Sequence, residues 1–270
     1  MRNLLVCSLL AIVGSLAHAQ WLNYRPPGTP VTPDGHPDLS APAPQAPNGK
    51  PDLTGTWRLM PRVQRTGTDG TSPDPVDSYS ANIFRDFKPE AGPERPAAVQ
   101  LREQRMKNGV RANPTLFCLP MGIPVNNLVN EVVKFVQAPS IIMVFYEVDG
   151  SYRQIYTDGR KLPADMQPSW LGYSTARWEG DTLVVETAGF NDRTWLDFVG
   201  HPHSEALQLT ERYRRRDFGH LDVEMTFDDP VMYTKPFTIK FTHLLQAESD
   251  ILESYCNENE KDRAHMLGLK

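Results

Sequence analysis

Long apolar runs are almost absent from this chain of 270 residues. The longest, Leu4 to Val13, is too short to span a bilayer and is broken by Gly14 and Ser15. Positive charge is short as well, with 28 Lys and Arg against 33 Asp and Glu. That balance argues against a nucleic-acid partner. Catalytic signatures are missing too. The sequence holds no Gly-x-Ser-x-Gly elbow, no His-Glu-x-x-His, no phosphate-cradling glycine loop and no Gly-x-Gly-x-x-Gly. Serine-type hydrolysis and nucleotide cofactors are therefore disfavoured. Asn257-Glu-Asn259 lacks the Ser or Thr of a glycosylation acceptor. Cysteine is rare, with three in the chain, and Cys7 sits inside the first apolar run.

What is present begins with an export signal. Arg2 supplies a positive start, Leu4 to Val13 an apolar core, and Ala17-His18-Ala19 a small-x-small cleavage site. Residues 1–19 are thus expected to be removed, placing the protein in the periplasm or outside the cell. Loss of Arg2 leaves 27 basic against 33 acidic residues, a net charge of −6. The remaining Cys118 and Cys256 are expected to pair and close a long loop. A catalytic thiol is the other use, but nothing beside either cysteine points to a depressed pKa.

Residues 20–51 read as a proline-rich arm. Its prolines fix φ and remove donors, which excludes a helix or a central strand. Trp21, Leu22 and Tyr24 favour an arm packed over the domain. Asp34-Gly-His-Pro-Asp-Leu-Ser40 is echoed by Asn48-Gly-Lys-Pro-Asp-Leu-Thr54, too briefly to define a repeat architecture. Residues 52–270 read as one β-rich domain. Pro96 to Lys107 predicts a surface helix, stopped at Asn108-Gly109. Strands are predicted over Val132–Val136, Ile141–Val148, Tyr152–Thr157, Ser174–Trp178, Thr182–Thr187, Ala206–Arg216, Leu221–Phe227 and Phe237–Leu245. Leu221, Val223, Met225 and Phe227 alternate with Asp222, Glu224, Thr226 and Asp228. Short polar turns and no βαβ rhythm give the expected architecture: mainly β, an antiparallel meander closed as a lipocalin-like barrel, or else a sandwich. One or two peripheral helices accompany it, the second a short one within Ile251–Lys270.

Two resemblances add to this reading. Gly55-x-Trp57 resembles the Gly-x-Trp opening of lipocalin-like barrels, which implies that Trp57 plugs one barrel end. Arg153-Gln-Ile-Tyr-Thr-Asp-Gly-Arg160, Trp170-Leu-Gly-Tyr-Ser174, Trp178-Glu-Gly-Asp-Thr-Leu-Val-Val-Glu-Thr187 and Gly189-Phe-Asn-Asp192 form a distinctive set. With His201-Pro-His-Ser-Glu-Ala-Leu207, Asp228-Asp-Pro230 and Tyr233-Thr-Lys-Pro-Phe237, they resemble a large group of exported proteins from soil and aquatic bacteria. The resemblance covers roughly Pro51 to Lys261. It implies secretion and a single domain, and it carries over no catalytic residue.

The densest group of chemically capable side chains lies between the predicted hairpins: Asn191, Asp192, Arg193, Trp195, Asp197, His201, His203 and Glu205. On a strand, His201, His203 and Glu205 share one face, a set able to hold a divalent transition metal. Gly200 and Pro202 make a metal-free polar turn the competing reading. Asp192 and Asp197 are available to orient the imidazoles. If the following strand is continuous, Glu205, Leu207, Leu209, Glu211 and Tyr213 face one way, and an inward Glu beside an inward His243 suits acid–base work. Ion pairing with Arg212, Arg214 or Lys240 is the structural alternative, and Arg214-Arg-Arg216 reads as a solvated strand end. Arg160 beside Asp158, and Arg193 beside Asp192, can clamp a ligand oxygen or lock loops. Tyr173 and Trp195 are ligand candidates, whereas Trp178 suits the core. The functional expectation is an exported enzyme acting on a small organic or sugar-derived molecule. His203, Glu205 and Asp197 would carry acid–base chemistry of hydrolase or lyase type, supported by His201 and Arg193. The alternative is a non-catalytic small-ligand-binding barrel.

Overall fold

A computed structural model describes residues 24–60, 79–88, 92–109 and 113–256. The predicted leader and most of the predicted C-terminal helix lie outside these residues; Ile251 to Cys256 are not helical. Nine strands form a closed barrel in chain order. They are β1 (Gly55–Leu59), β2 (Val132–Ala138), β3 (Ile141–Tyr146), β4 (Tyr152–Tyr156) and β5 (Tyr173–Glu179). β6 (Thr182–Ala188), β7 (Gln208–Arg215), β8 (His220–Asp228) and β9 (Phe237–Leu245) complete it. The barrel expected from the hairpin rhythm is therefore present, and β1 pairs with β9 to close it. One seam is parallel, where Ile155 meets Ser174 and Tyr156 meets Thr175. An odd strand count requires this, because a ring in which every neighbour is antiparallel needs an even number. The loop 157–172 carries the chain between the two parallel strands.

Strand alternation gives one continuous inward face. Its members pair in register: Val144 with Arg153, Ser174 with Thr187, Val185 with Glu211, Met225 with Ile239, and Trp57 with Leu245. Trp57, Phe135, Ile142, Tyr213 and Phe227 are fully buried there. Phe135 meets Tyr213 edge-on at 5.5 Å, and Phe227 stacks on Phe237 at 4.9 Å. Closure also removes the free edges that an open sheet exposes.

The arm seals one end of the barrel. Its two echoed segments fold into the same turn. Thr32 N donates to His36 O at 2.8 Å and Ala46 N to Lys50 O at 2.7 Å. Asp38 and Asp52 then cap Ser40 N and Thr54 N. The echo is thus a repeated local turn. Leu53, from the second copy, is wholly buried. Leu39, from the first, lies so close to Gly219 that a Cβ there would sit 2.4 Å from its own Cβ, so the β7–β8 turn needs glycine. Trp57 Nε1 donates to Leu53 O at 3.1 Å, and the Arg215 guanidinium lies 4.9 Å from the Trp57 ring. Trp57 therefore plugs this end. Arg215 is not part of a solvated strand end: it is buried and donates to Asp52 O, Thr54 O and Phe218 O. Tyr24, expected to be covered, remains half exposed.

The opposite end carries the β1–β2 connection and the β3–β4, β6–β7 and β8–β9 loops. Helix α1 (Pro96–Asn108) covers this side as predicted, starting at proline and buried mainly through Ala98. Helix α2 (Val125–Leu128), which the sequence reading did not anticipate, is buried at all four positions and joins the core through Leu128. Cys118 and Cys256 are disulfide-bonded with Cα atoms 5.5 Å apart, tying the α2 approach to the chain after β9. No helix among the described residues is long and apolar enough to cross a membrane.

Candidate functional site

The sequence-derived cluster separates into three places at the α2 end. The first is a buried knot around Asp197. Gly200 and Pro202 prevent a strand from starting, so residues 201–206 form a loop that folds back on Asp197. The Asp197 carboxylate accepts from Ile83 N at 2.7 Å, Gly200 N at 2.9 Å, His201 N at 3.1 Å and His201 Nδ1–H at 2.5 Å. His201 Nε2 lies 3.8 Å from Glu94, which is itself held by Arg102. Phe84 packs edge-on against the His201 ring at 4.8 Å. Trp195 is buried beneath the Arg105 guanidinium, 5.1 Å from its ring, so it is packing rather than an open ligand platform.

His203 occupies the second place. Its Nδ1–H donates to Ser204 O at 3.2 Å, so Nε2 accepts from the Thr194 hydroxyl at 2.7 Å. Both ring nitrogens are used, and burial holds the imidazole pKa below its ordinary value. The loop is further anchored by Asp229, which accepts from Ser204 N and Oγ, Val231 N and Met232 N.

Glu205 lies in the third place, exposed on the rim. The expected metal face of His201, His203 and Glu205 is therefore not assembled: the residues are on a loop, and each points to different partners. Among the described residues no group of three His, Cys, Asp or Glu side chains is placed to hold a metal. The Glu205 parity also fails, because β7 begins only at Gln208. A groove of about 590 Å³ runs beside Glu205, lined by Met166, Pro168, Leu207, Asp228 and Pro230 among others. Asp228, missed by sequence reasoning, stands at the exposed end of the alternating strand β8. Neither carboxylate has an ion-pair or side-chain hydrogen-bond partner among the described residues.

The remaining expected ligand contacts are local. Arg160 pairs with Asp158, covers the Tyr156 ring at 3.8 Å and donates to Tyr173 Oη at 3.1 Å. Tyr173 stacks on Tyr156. This is the loop-locking use of the Asp158–Arg160 pair. Asp192 and Arg193 are exposed, with Arg193 5.9 Å from the Trp170 ring.

No family model, curated protein or solved structure matches the chain.

Glu211 and His243 do point inward, as parity required. Glu211 pairs with Arg153 across the barrel, not with Arg212, Arg214 or Lys240. Arg212 and Lys240 instead pair outside with Glu179 and Glu224. Arg153 also donates to Ser174 Oγ at 2.9 Å and Thr187 Oγ1 at 2.6 Å. Tyr213 Oη–H donates to Glu211 at 2.7 Å and accepts from Asn127 Nδ2 at 3.2 Å. Asn127 O accepts from His243 Nε2–H at 2.9 Å. Glu211 and His243 are thus linked through Tyr213 and α2 without touching.

Burial pushes His243 down to about 4, against the raising effect of its Asn127 hydrogen bond. The unfolded chain binds this proton near the ordinary histidine value of about 6.5. Stability from a neutral His243 is accordingly complete above that value and is lost as pH falls towards 4. The loss is on the order of 3 kcal/mol. Urea unfolding between pH 7 and 4 should show it, and His243→Leu should flatten the slope even if its stability at pH 7 is lower.

Proposed function

We propose that this protein is an exported barrel that binds a small organic ligand in the rim groove. The observation that carries this reading is the groove itself, with apolar walls and two carboxylates unpaired among the described residues. Its volume suits a small organic molecule. Met166 supplies an adaptable wall, and Pro168, Leu207 and Pro230 supply fixed ones. Glu205 and Asp228 favour an amine or another cationic group, since a ligand anion would meet two negative charges. The leader read from the sequence supports export, and a disulfide fits an oxidising compartment.

Equilibrium dialysis against a panel of small amines and their uncharged analogues tests the reading. Stoichiometric uptake of an amine, with no product formed, is expected. Glu205→Gln and Asp228→Asn should each weaken it about fivefold to tenfold, the effect of one partly exposed charge contact. Unchanged affinity in both variants would remove the groove from the proposal.

A second reading, an acid–base enzyme, draws support from Asp197 and His201. A carboxylate bonded to Nδ1–H fixes the tautomer that leaves Nε2 as a base. The pair lies away from the groove residues, however, and His203 and Glu205 do not join it.

A further inference from the structure

A different site is drawn by unpaired atoms beneath α2. Asn127 Oδ1, Asn126 Oδ1 and His243 Nδ1 are buried and have no hydrogen-bond partner among the described residues. All three residues are 1% exposed. The neighbouring bonds fix what each atom is. Tyr213 spends its only proton on Glu211, so Asn127 must present its NH2 to Tyr213 and keep Oδ1 free. Asn126 Nδ2 donates to the Asp149 carboxylate, which leaves its Oδ1 as the free atom. His243 gives Nε2–H to a backbone carbonyl, so Nδ1 holds a lone pair. The three unsatisfied atoms are therefore all acceptors. Tyr146 Oη, also buried, lies beside the Arg153 guanidinium outside hydrogen-bonding geometry and can donate or accept.

Buried acceptors without donors are costly, and native interiors seldom leave several together. Here they come from two adjacent residues of α2 and from a strand residue bonded to one of them. The charges nearby are already met: Arg153 faces Glu211, and the Asp149 carboxylate accepts from Met121 N, Asn126 Nδ2 and Ser151 N and Oγ. A carboxylate or phosphate would meet acceptors and a neutralised arginine. A cation would lose its water next to a guanidinium. We propose that the junction between α2 and the barrel interior binds a small uncharged molecule rich in N–H or O–H donors, of the amide or polyol class. Its donors satisfy Asn127 Oδ1 and His243 Nδ1, with Asn126 Oδ1 and Tyr146 Oη beside them. Burial keeps His243 neutral at physiological pH, so its Nδ1 remains an acceptor there. This site is independent of the rim groove and involves none of its residues.

The test uses the full chain with ¹⁵N-labelled histidine, titrated with acetamide, with glycerol and with acetate as the charged control. A saturable shift of the His243 Nδ1 resonance is expected with acetamide or glycerol and none with acetate. Tyr146→Phe removes only the hydroxyl beside Arg153 and keeps the buried ring, so the variant should fold. Its binding should be about tenfold weaker, the worth of one hydrogen bond. A His243 Nδ1 signal that no probe moves would overturn the proposal and leave ordered water as the only occupant. Equal affinity in Tyr146→Phe would also count against it, because the site as drawn includes that hydroxyl.

Discussion

Glu211→Ala is expected to destabilise the protein by about 3–5 kcal/mol, because it strands a guanidinium inside the barrel. Arg153 and Glu211 are both essentially inaccessible to water. Burial works against the Arg153 charge, yet Glu211 and the flanking tyrosines hold its pKa above the ordinary value. Deleting the carboxylate does not neutralise Arg153; it removes its one ion-pair partner among the described residues. Tyr213 loses its acceptor in the same step, and the Asn127 contact that anchors α2 is loosened. For a domain this large the loss corresponds to roughly a 10 °C fall in Tm. Denaturant unfolding should report it as a lower midpoint. The double substitution Arg153→Met with Glu211→Leu should recover much of the loss, since a well-packed apolar pair often matches a buried ion pair. If Glu211→Ala melts like the parent, the pair is not buried as described. This outcome separates structural from ligand-binding use of Glu211, because the loss appears with no ligand present.

The same residues show what a sequence can disclose. Strands β6 to β9 were legible because apolar and polar positions alternate over whole segments, as in Leu221 to Phe227, and because Glu179-Gly180-Asp181 and Asp217-Phe-Gly-His220 mark turns. Parity then placed Glu211 and His243 inside. It did not name Arg153, although Arg153 and Ile155 share a face and Ile155 is fully buried. A charged residue in phase with the core was the available signal. Parity failed across Gly200–Glu205, where proline and glycine break the pleat and side chains no longer alternate. There, hydrogen bonding to backbone donors decided the geometry, and one of those donors, Ile83 N, comes from 114 positions away. The groove was legible only through Glu205. Asp228 pairs with nothing nearby in sequence, and its approach to Met166 and Pro168 depends on where the 157–172 loop crosses.

That distinction between an oriented base and a structural knot is sharpest at Asp197. Asp197→Ala is expected to cost about 3–5 kcal/mol, since it leaves Ile83 N, His201 N and one imidazole N–H without an acceptor and Gly200 N with only the Asp197 backbone carbonyl. The loss should be local before it is global. Hydrogen exchange at Ile83, Gly200 and His201 should accelerate while β7 to β9 stay protected, because those strands keep their ladders. Asp197→Asn should fall between the two, because its one carbonyl oxygen can serve some of these donors while its NH2 faces others. A residue serving only to orient a catalytic imidazole would behave differently: turnover would fall while exchange and melting stayed unchanged. Four donors converging on one fully buried carboxylate argue that Asp197 first holds the 194–203 loop against residues 79–88. Any chemistry at His201 depends on that loop being in place.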